Sequence, residues 1–333
     1  MNTPLVSIIM PVYNAEKFIE KTILSLNNQT YDNIEVIAIN DGSKDDTKIV
    51  LDGLMQREDL HIKLRVVHQE NMGICHTRNN GIQIADGKYI AFVDHVDFMM
   101  PDAVERLVAQ AENKNADMVI GGFELIDKDG KILEHRPLNP KDPWSMFHIS
   151  APWGRIFKRE LIMEHDIKFF ITKISEDFYF NYVYMSYCNK IEVIPEVTYQ
   201  WLYSPTSESH ANMSQYSKDR DVLLMLTALM NDMKKDHNLP KEYMEYGLIK
   251  HVLWYMFYVS KSTSKDTLSI IYKNCISWLD TNCPNYKRNS LVKFTKPISE
   301  GLVQRVFVKV MVTLEKLHLL KPFLYVYSGK ILG

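Results

Sequence analysis

The sequence is short of cysteine, glycine, proline and net charge, and it has no long apolar run. Its four cysteines in 333 residues, Cys75, Cys188, Cys275 and Cys283, lack the close pairs that structural zinc requires. They are also too few for a disulfide scaffold, so they read as reduced and buried. Thirteen glycines and thirteen prolines exclude collagen-like and low-complexity chains. A formal net charge of −2 excludes a general nucleic-acid binder. No stretch approaches the roughly 18 uncharged apolar residues that would make a membrane span. The opening MNTPLVSIIMPVYN has no basic region before its apolar run, which stops at Pro11, so it reads as a strand and not a signal peptide. A cytosolic location is expected. No Gly-x-Gly-x-x-Gly follows that strand, which excludes a dinucleotide-binding oxidoreductase.

What remains is a chain able to bury a sizeable core, 46% hydrophobic and 24% charged. Its charge is unevenly placed. Residues 285–333 carry nine Lys or Arg against Glu300 and Glu315, so the tail is +7 and the rest of the chain −9. Such a tail seeks an anionic neighbour.

Apolar runs over residues 5–10, 34–39, 64–68, 89–93 and 117–123 alternate with helical patterns over 15–28, 45–55, 75–85 and 101–114. Strands apolar throughout, separated by helices, predict a mainly parallel sheet covered on both faces. Ligands of such sheets lie outside the carboxyl ends of the strands. Three polar clusters stand there: Pro11-Val12-Tyr13-Asn14, Asn40-Asp41-Gly42-Ser43 and Asp94-His95-Val96-Asp97. Singly, each reads as an ordinary strand end that caps the next helix; together they suggest a site. The middle of the chain, about 144–203, is rich in aromatics, and Trp153 and Trp201 suit either sugar stacking or core. After residue 214 helical patterns dominate, including one over 301–320 with Leu302, Val306, Val310, Leu314 and Leu317 on one stripe.

VSIIMPVYNAEKFIEKTILSLNNQTYDNIEVIAINDGSKDDT, QENMGICHTRNNGIQIADGKYIAFVDHVDFMMPDAVE, APWGRIFKREL and ISEDFYF follow one another over roughly the first 210 residues. In that order they resemble the inverting, bacterial-type family 2 glycosyltransferases of the α/β GT-A fold. The resemblance implies a catalytic domain over residues 1–213, with a nucleotide-binding half (1–125) and an acceptor-binding half (126–213). A mostly helical region over 214–333 would follow, ending in the basic amphipathic tail 285–333. The last 120 or so residues match no motif.

A nucleotide-sugar donor presents a planar base, a ribose diol and a diphosphate. Asp41 can accept from a uracil-type imide N–H, and Tyr13 offers a ring face. By resemblance both line a base pocket with Pro11, for a UDP-type donor. Arg78 is a permanent cation suited to phosphate or base contacts, and Asp94, with His95, serves the ribose or a metal shell. The resemblance implies Mg2+ or Mn2+ to neutralise the departing diphosphate. Here the chain departs from its relatives, whose Asp-x-Asp-Asp becomes Asp94-His95-Val96-Asp97, with Val96 at the usual ligand position. Asp94, Asp97 and His210, in the loop SPTSESH, remain as candidate ligands. Leu202 is a second departure, standing where relatives often have arginine.

Displacement at an anomeric carbon needs a carboxylate to take the acceptor proton. By resemblance Asp177 is that base and Glu176 its companion. The implied activity is sugar transfer from a nucleotide-sugar donor to a hydroxyl of a glycan or lipid-linked acceptor, in bacterial surface polysaccharide synthesis. The alternative is a catalytically impaired, nucleotide-binding relative that supports a partner enzyme. The basic tail implies peripheral contact with an anionic membrane surface, and a homo-oligomer is compatible with the sequence.

Overall fold

Strand β1 (Val6–Val12) is buried at every position, as are β2 (Ile34–Asp41) and β4 (Tyr89–Phe92), because apolar side chains leave both faces of each. The structure, a computed structural model, describes residues 3–204, 217 and 220–329. With β3 (Lys63–Gln69), these strands form the parallel part of one nine-stranded sheet. The remainder is mixed: β5 (Phe98–Met99), β6 (Met118–Ile126), β7 (Ile132–Arg136), β8 (Arg155–Lys158) and β9 (Ile191–Leu202). The order across the sheet is β3-β2-β1-β4-β8-β6-β9-β5, with β7 on β6.

Strand β1 continues through Pro11 rather than stopping at Met10. Its ladder to β4 ends at Ile9 and Phe92, while the ladder to β2 runs on to Val12 and Asn40. A residue without an N–H is accommodated where pairing on one side has already ended. Helices α1 (Ile19–Asn27), α2 (Thr47–Met55), α3 (Ile74–Ile84) and α4 (Ala103–Lys114) follow the first strands. The chain segments that leave β1, β2 and β4 at their carboxyl ends therefore open at one edge of the sheet.

Helices α5 (Ser145–His148), α6 (Arg159–Glu164) and α7 (Glu176–Tyr187) belong to the middle of the chain. Among the described residues five more follow: α8 (Val222–Asp232), α9 (Lys241–Ser260), α10 (Lys265–Asn282), α11 (Leu302–Lys316) and α12 (Leu320–Tyr327). The helix expected over 301–320 is thus two. His318 takes a left-handed φ of 58°, and the chain turns there. The apolar stripe largely faces outward: Leu302, Val306, Val310 and Leu317 are exposed and Leu314 is half-buried, while α11 buries Val308, Met311 and Val312.

Helix α9 packs closely on α7. A Cβ at Gly247 would lie 1.8 Å from the hydroxyl of buried Tyr182, so the two helices approach this far only because residue 247 is glycine. The ring of Tyr246 meets Trp144 edge-on at 4.9 Å, and His251 stacks on Phe178 at 4.3 Å. Buried side chains run without a break from the sheet into these helices. All four cysteines are free and buried. Among the described residues, no helix is long and apolar enough to cross a membrane.

Candidate active site

The loops after β1 and β2 are sewn together. Asn14, at φ 49°, donates its N–H to Ser43 Oγ at 2.9 Å, and its own Oδ1 accepts from Lys44 N at 2.9 Å. Beside them Tyr13 is exposed, with its ring available as a face, and Pro11 is buried. Asp41 ends β2 as a buried carboxylate. Its Oδ1 accepts from Gln69 Nε2 and Met72 N, both at 2.8 Å, and its Oδ2 from Gly73 N at 2.9 Å. Three of about four lone-pair positions are therefore in use, and the one left belongs to Oδ2. Gln69, which sequence reasoning passed over, also reaches Thr77 Oγ1 at 3.1 Å and so ties Asp41 to α3.

Arg78 of α3 is the hub. Its side chain is 2% exposed, and it draws three carboxylates from two distant parts of the chain. Nη2 donates to Asp94 Oδ1 at 3.1 Å, Nη1 donates to Asp177 Oδ1 at 2.5 Å, and Glu176 Oε1 stands 3.9 Å from Nη1. The guanidinium carbon lies 5.1 Å from the centre of the Phe169 ring. Burial alone would lower the pKa of Arg78; the three carboxylates, Asp177 foremost, more than reverse this and hold it above the ordinary arginine value. It stays charged.

Glu176 and Asp177 open α7, where the helix dipole favours negative charge. Ser175 just before them is left-handed, at φ 65°. Burial pushes the Asp177 carboxyl up to about 7 against the opposing pull of Arg78, with Glu176 and Asp94 adding to the rise.

The turn after β4 departs from expectation. Asp97, a candidate metal ligand by resemblance, points into the fold and is 1% exposed. Its Oδ2 accepts from Tyr199 Oη at 2.8 Å and its Oδ1 from Leu202 N at 2.9 Å. Burial, reinforced by Asp94, drives its pKa well above the usual carboxylate range. Asp97 fastens the turn to β9 and turns away from the open side. The backbone of Leu202 thus does structural work at the position where an arginine side chain is absent. Burial lowers the pKa of His95, whose Nδ1 contacts Pro11 O at 3.3 Å. Asp94 remains at the open side, a third exposed and paired with Arg78. Among the described residues no three His, Cys, Asp or Glu side chains converge on a point that could hold a metal. His210 lies outside the described residues. The described donors do not form the carboxylate and carbonyl cage that Mg2+ or Mn2+ needs.

Two further groups near the acidic pair, Arg155 and the half-buried His251, carry no signal in the sequence. Arg155, 1% exposed, donates Nη2 to Ile149 O at 2.7 Å, while its Nη1 finds no partner among the described residues. Burial pulls its pKa down to about 9, against the attraction of Asp177. His251 of α9 places Nε2 2.9 Å from Ser175 Oγ. Burial lowers its pKa to about 4, so it is neutral at pH 7. It comes from the stretch that matches no motif, and nothing in the sequence marks it. Trp153 is core, 6% exposed and stacked on Tyr199 at 4.5 Å, and Trp201 packs beside it at 6.2 Å.

With this geometry in hand, comparison with known proteins gives a consistent result. The sequence model described as glycosyl transferase family 2 matches residues 7–178. Two relatives named as glycosyltransferases in Bacillus subtilis strain 168 are similar: EpsH, 34% identical over 180 residues, and EpsJ, 33% identical over 223 residues. The EpsH match covers 51% of this chain and 51% of EpsH, and the EpsJ match 61% and 62%, so the chain spans between half and two thirds of these relatives' length. Among solved structures, S. aureus TarS 1-349 in complex with UDP-GlcNAc superposes with a TM-score of 0.70 over 94% of this chain and 92% of that one. At 16% identity this likeness establishes the GT-A-like fold with its added C-terminal helices.

Proposed function

The chain belongs to glycosyl transferase family 2, and from that premise we propose that it transfers a sugar, with inversion, from a nucleotide-sugar donor to a hydroxyl acceptor. One observation carries this reading. Arg78 joins Asp94, at the strand edge where the donor would lie, to Asp177, at the start of α7 where the acceptor would approach. The donor is of UDP type. Asp41 keeps one acceptor position on Oδ2 for an imide N–H, Tyr13 is exposed beside it, and the structural neighbour TarS is in complex with UDP-GlcNAc.

In the reaction, Asp177 takes the proton of the acceptor hydroxyl while that oxygen forms its bond to the anomeric carbon. The bond from that carbon to the donor phosphate breaks on the opposite face, and the nucleoside diphosphate leaves. Asp177 can do this at neutral pH because burial has raised its proton affinity to match the task. Glu176 and Asp94 keep Arg78 charged and in place, and Ser175, held by His251, sets the start of α7. The acceptor is a hydroxyl of a glycan or a lipid-linked sugar in bacterial surface polysaccharide assembly, as the family resemblance implies.

A panel of common nucleotide sugars, assayed for release of nucleoside diphosphate, tests this. Hydrolysis of at least one UDP-sugar is expected, and it should be lost in Asp177→Asn. A specific observation also supports a second reading, a nucleotide-binding relative with little turnover. Val96 and the inward-facing Asp97 leave Asp94 alone among the carboxylates of that turn. Calorimetry showing UDP binding alongside no release from any donor would favour it.

A further inference from the structure

We propose that the outward face of α11 docks on an anionic lipid surface. A helix on a protein surface ordinarily turns its polar side to water. This one buries Val308, Met311 and Val312 and yet turns a second apolar strip to water. Leu302 is 61% exposed, Val303 71%, Val306 37% and Val310 40%, and Leu317 just beyond the helix is 60% exposed. Their three- and four-residue spacing puts them on one side. Arg305, Lys309 and Lys316 run along its flank, at the same kind of spacing. The segment leading into the helix adds exposed Phe294 and Ile298 with Lys293 and Lys296.

The two acids of the basic tail are both turned inward. Glu300 is buried in an ion pair with Lys250. Glu315 is buried too, accepts from Tyr272 Oη at 2.7 Å, and lies 3.5 Å from Lys287. Among the described residues of the tail, both acidic side chains are therefore buried, and the exposed Lys and Arg side chains face no exposed acid of the tail. An apolar strip flanked by cations matches a bilayer whose head groups are negative: the side chains enter the interface and the cations meet phosphate. A second copy of the chain fits worse, since a twofold contact through this strip would press one cationic rim against the other.

The face is also joined to the acidic pair. Phe307 of α11 stacks on Trp254 at 3.9 Å; Trp254 lies one turn from His251, and His251 holds Ser175. The docking itself does not depend on the proposed reaction, because it is measured without donor or acceptor.

Cosedimentation of the full chain with vesicles tests it. Binding to phosphatidylglycerol-containing vesicles is expected, weakening as salt is raised. Lys309→Gln with Lys316→Gln should lower the partition roughly 25-fold, about fivefold for each charge. Val306→Asp with Val310→Asp should abolish it. All four positions lie outside the buried core, so melting temperatures should stay near that of the parent and separate lost docking from lost folding. The proposal is overturned by no binding to the anionic vesicles, by equal binding to pure phosphatidylcholine, or by parental binding in both double variants. It is equally overturned if Val306→Asp with Val310→Asp abolishes a self-association seen on gel filtration while vesicle binding is unchanged.

Discussion

Arg78 Nη1 donates to Asp177 Oδ1 at 2.5 Å while Nη2 of the same side chain donates to Asp94 Oδ1 at 3.1 Å, so one buried cation joins two halves of the site. Removing it would leave three carboxylates together without a counter-charge. Arg78→Met should therefore destabilise the fold by about 3 kcal/mol, the scale for breaking a buried ion pair. Arg78→Lys should recover part of that loss, since an ammonium keeps the charge but cannot span both partners. Urea unfolding of the two variants checks the order. Equal stability of Arg78→Met and the parent would mean that the hub is ornamental.

Asp177→Asn keeps the size of the side chain and removes its basicity. Turnover should fall by roughly a hundredfold or more, the usual range for a general base, while UDP binding by calorimetry stays within a few-fold of the parent. Near-parental transfer would take Asp177 out of the mechanism.

The raised proton affinity of Asp177 has a kinetic and a thermodynamic consequence. As a base it works only when ionised, so kcat/KM should fall about tenfold for each pH unit below about 7. For stability the sign is opposite. The native state holds the Asp177 proton more tightly than the unfolded chain does, so its contribution is present below about pH 4 and is lost as pH rises through about 7. Asp177→Asn, which cannot ionise, should then be at least as stable as the parent above pH 7. A pH-rate profile and paired melts at pH 6 and pH 8 would read both effects.

Much of the fold was legible because it rests on local signals. Apolar runs such as 34–39 become strands buried on both faces wherever helices cover both sides, and the structure extends this one only to Asp41. The polar clusters at the strand ends were legible for the same reason, since the edge of a parallel sheet is where a chain must turn. Direction was not legible. Nothing in Asp94-His95-Val96-Asp97 says that Asp97 faces Tyr199 and Leu202 rather than the open side, because its partners lie more than a hundred residues away. His251 was invisible for a related reason, as its neighbour Ser175 is set by the packing of α9 on α7 through Gly247. The stripe on α11 is visible in the sequence, but only tertiary packing tells which side of the helix is covered.

Position 96 decides how this site treats a metal. Val96 has no lone pair, Asp97 has spent both oxygens inside the fold, and Asp94 is bonded to Arg78. Added Mn2+ should accordingly change the UDP affinity of the parent by less than about threefold, since one carboxylate already paired to a guanidinium is a weak ligand set for a hard cation. Val96→Asp places a second carboxylate in a half-buried turn beside Asp94, and without a cation the two would repel. The variant should therefore bind UDP more weakly than the parent in EDTA and more tightly than the parent with Mn2+. That crossing of the two curves in calorimetry is the diagnostic result. A Val96→Asp chain whose UDP affinity is indifferent to Mn2+ would show that the turn, fixed from behind by Asp97, cannot present a ligand at position 96 at all.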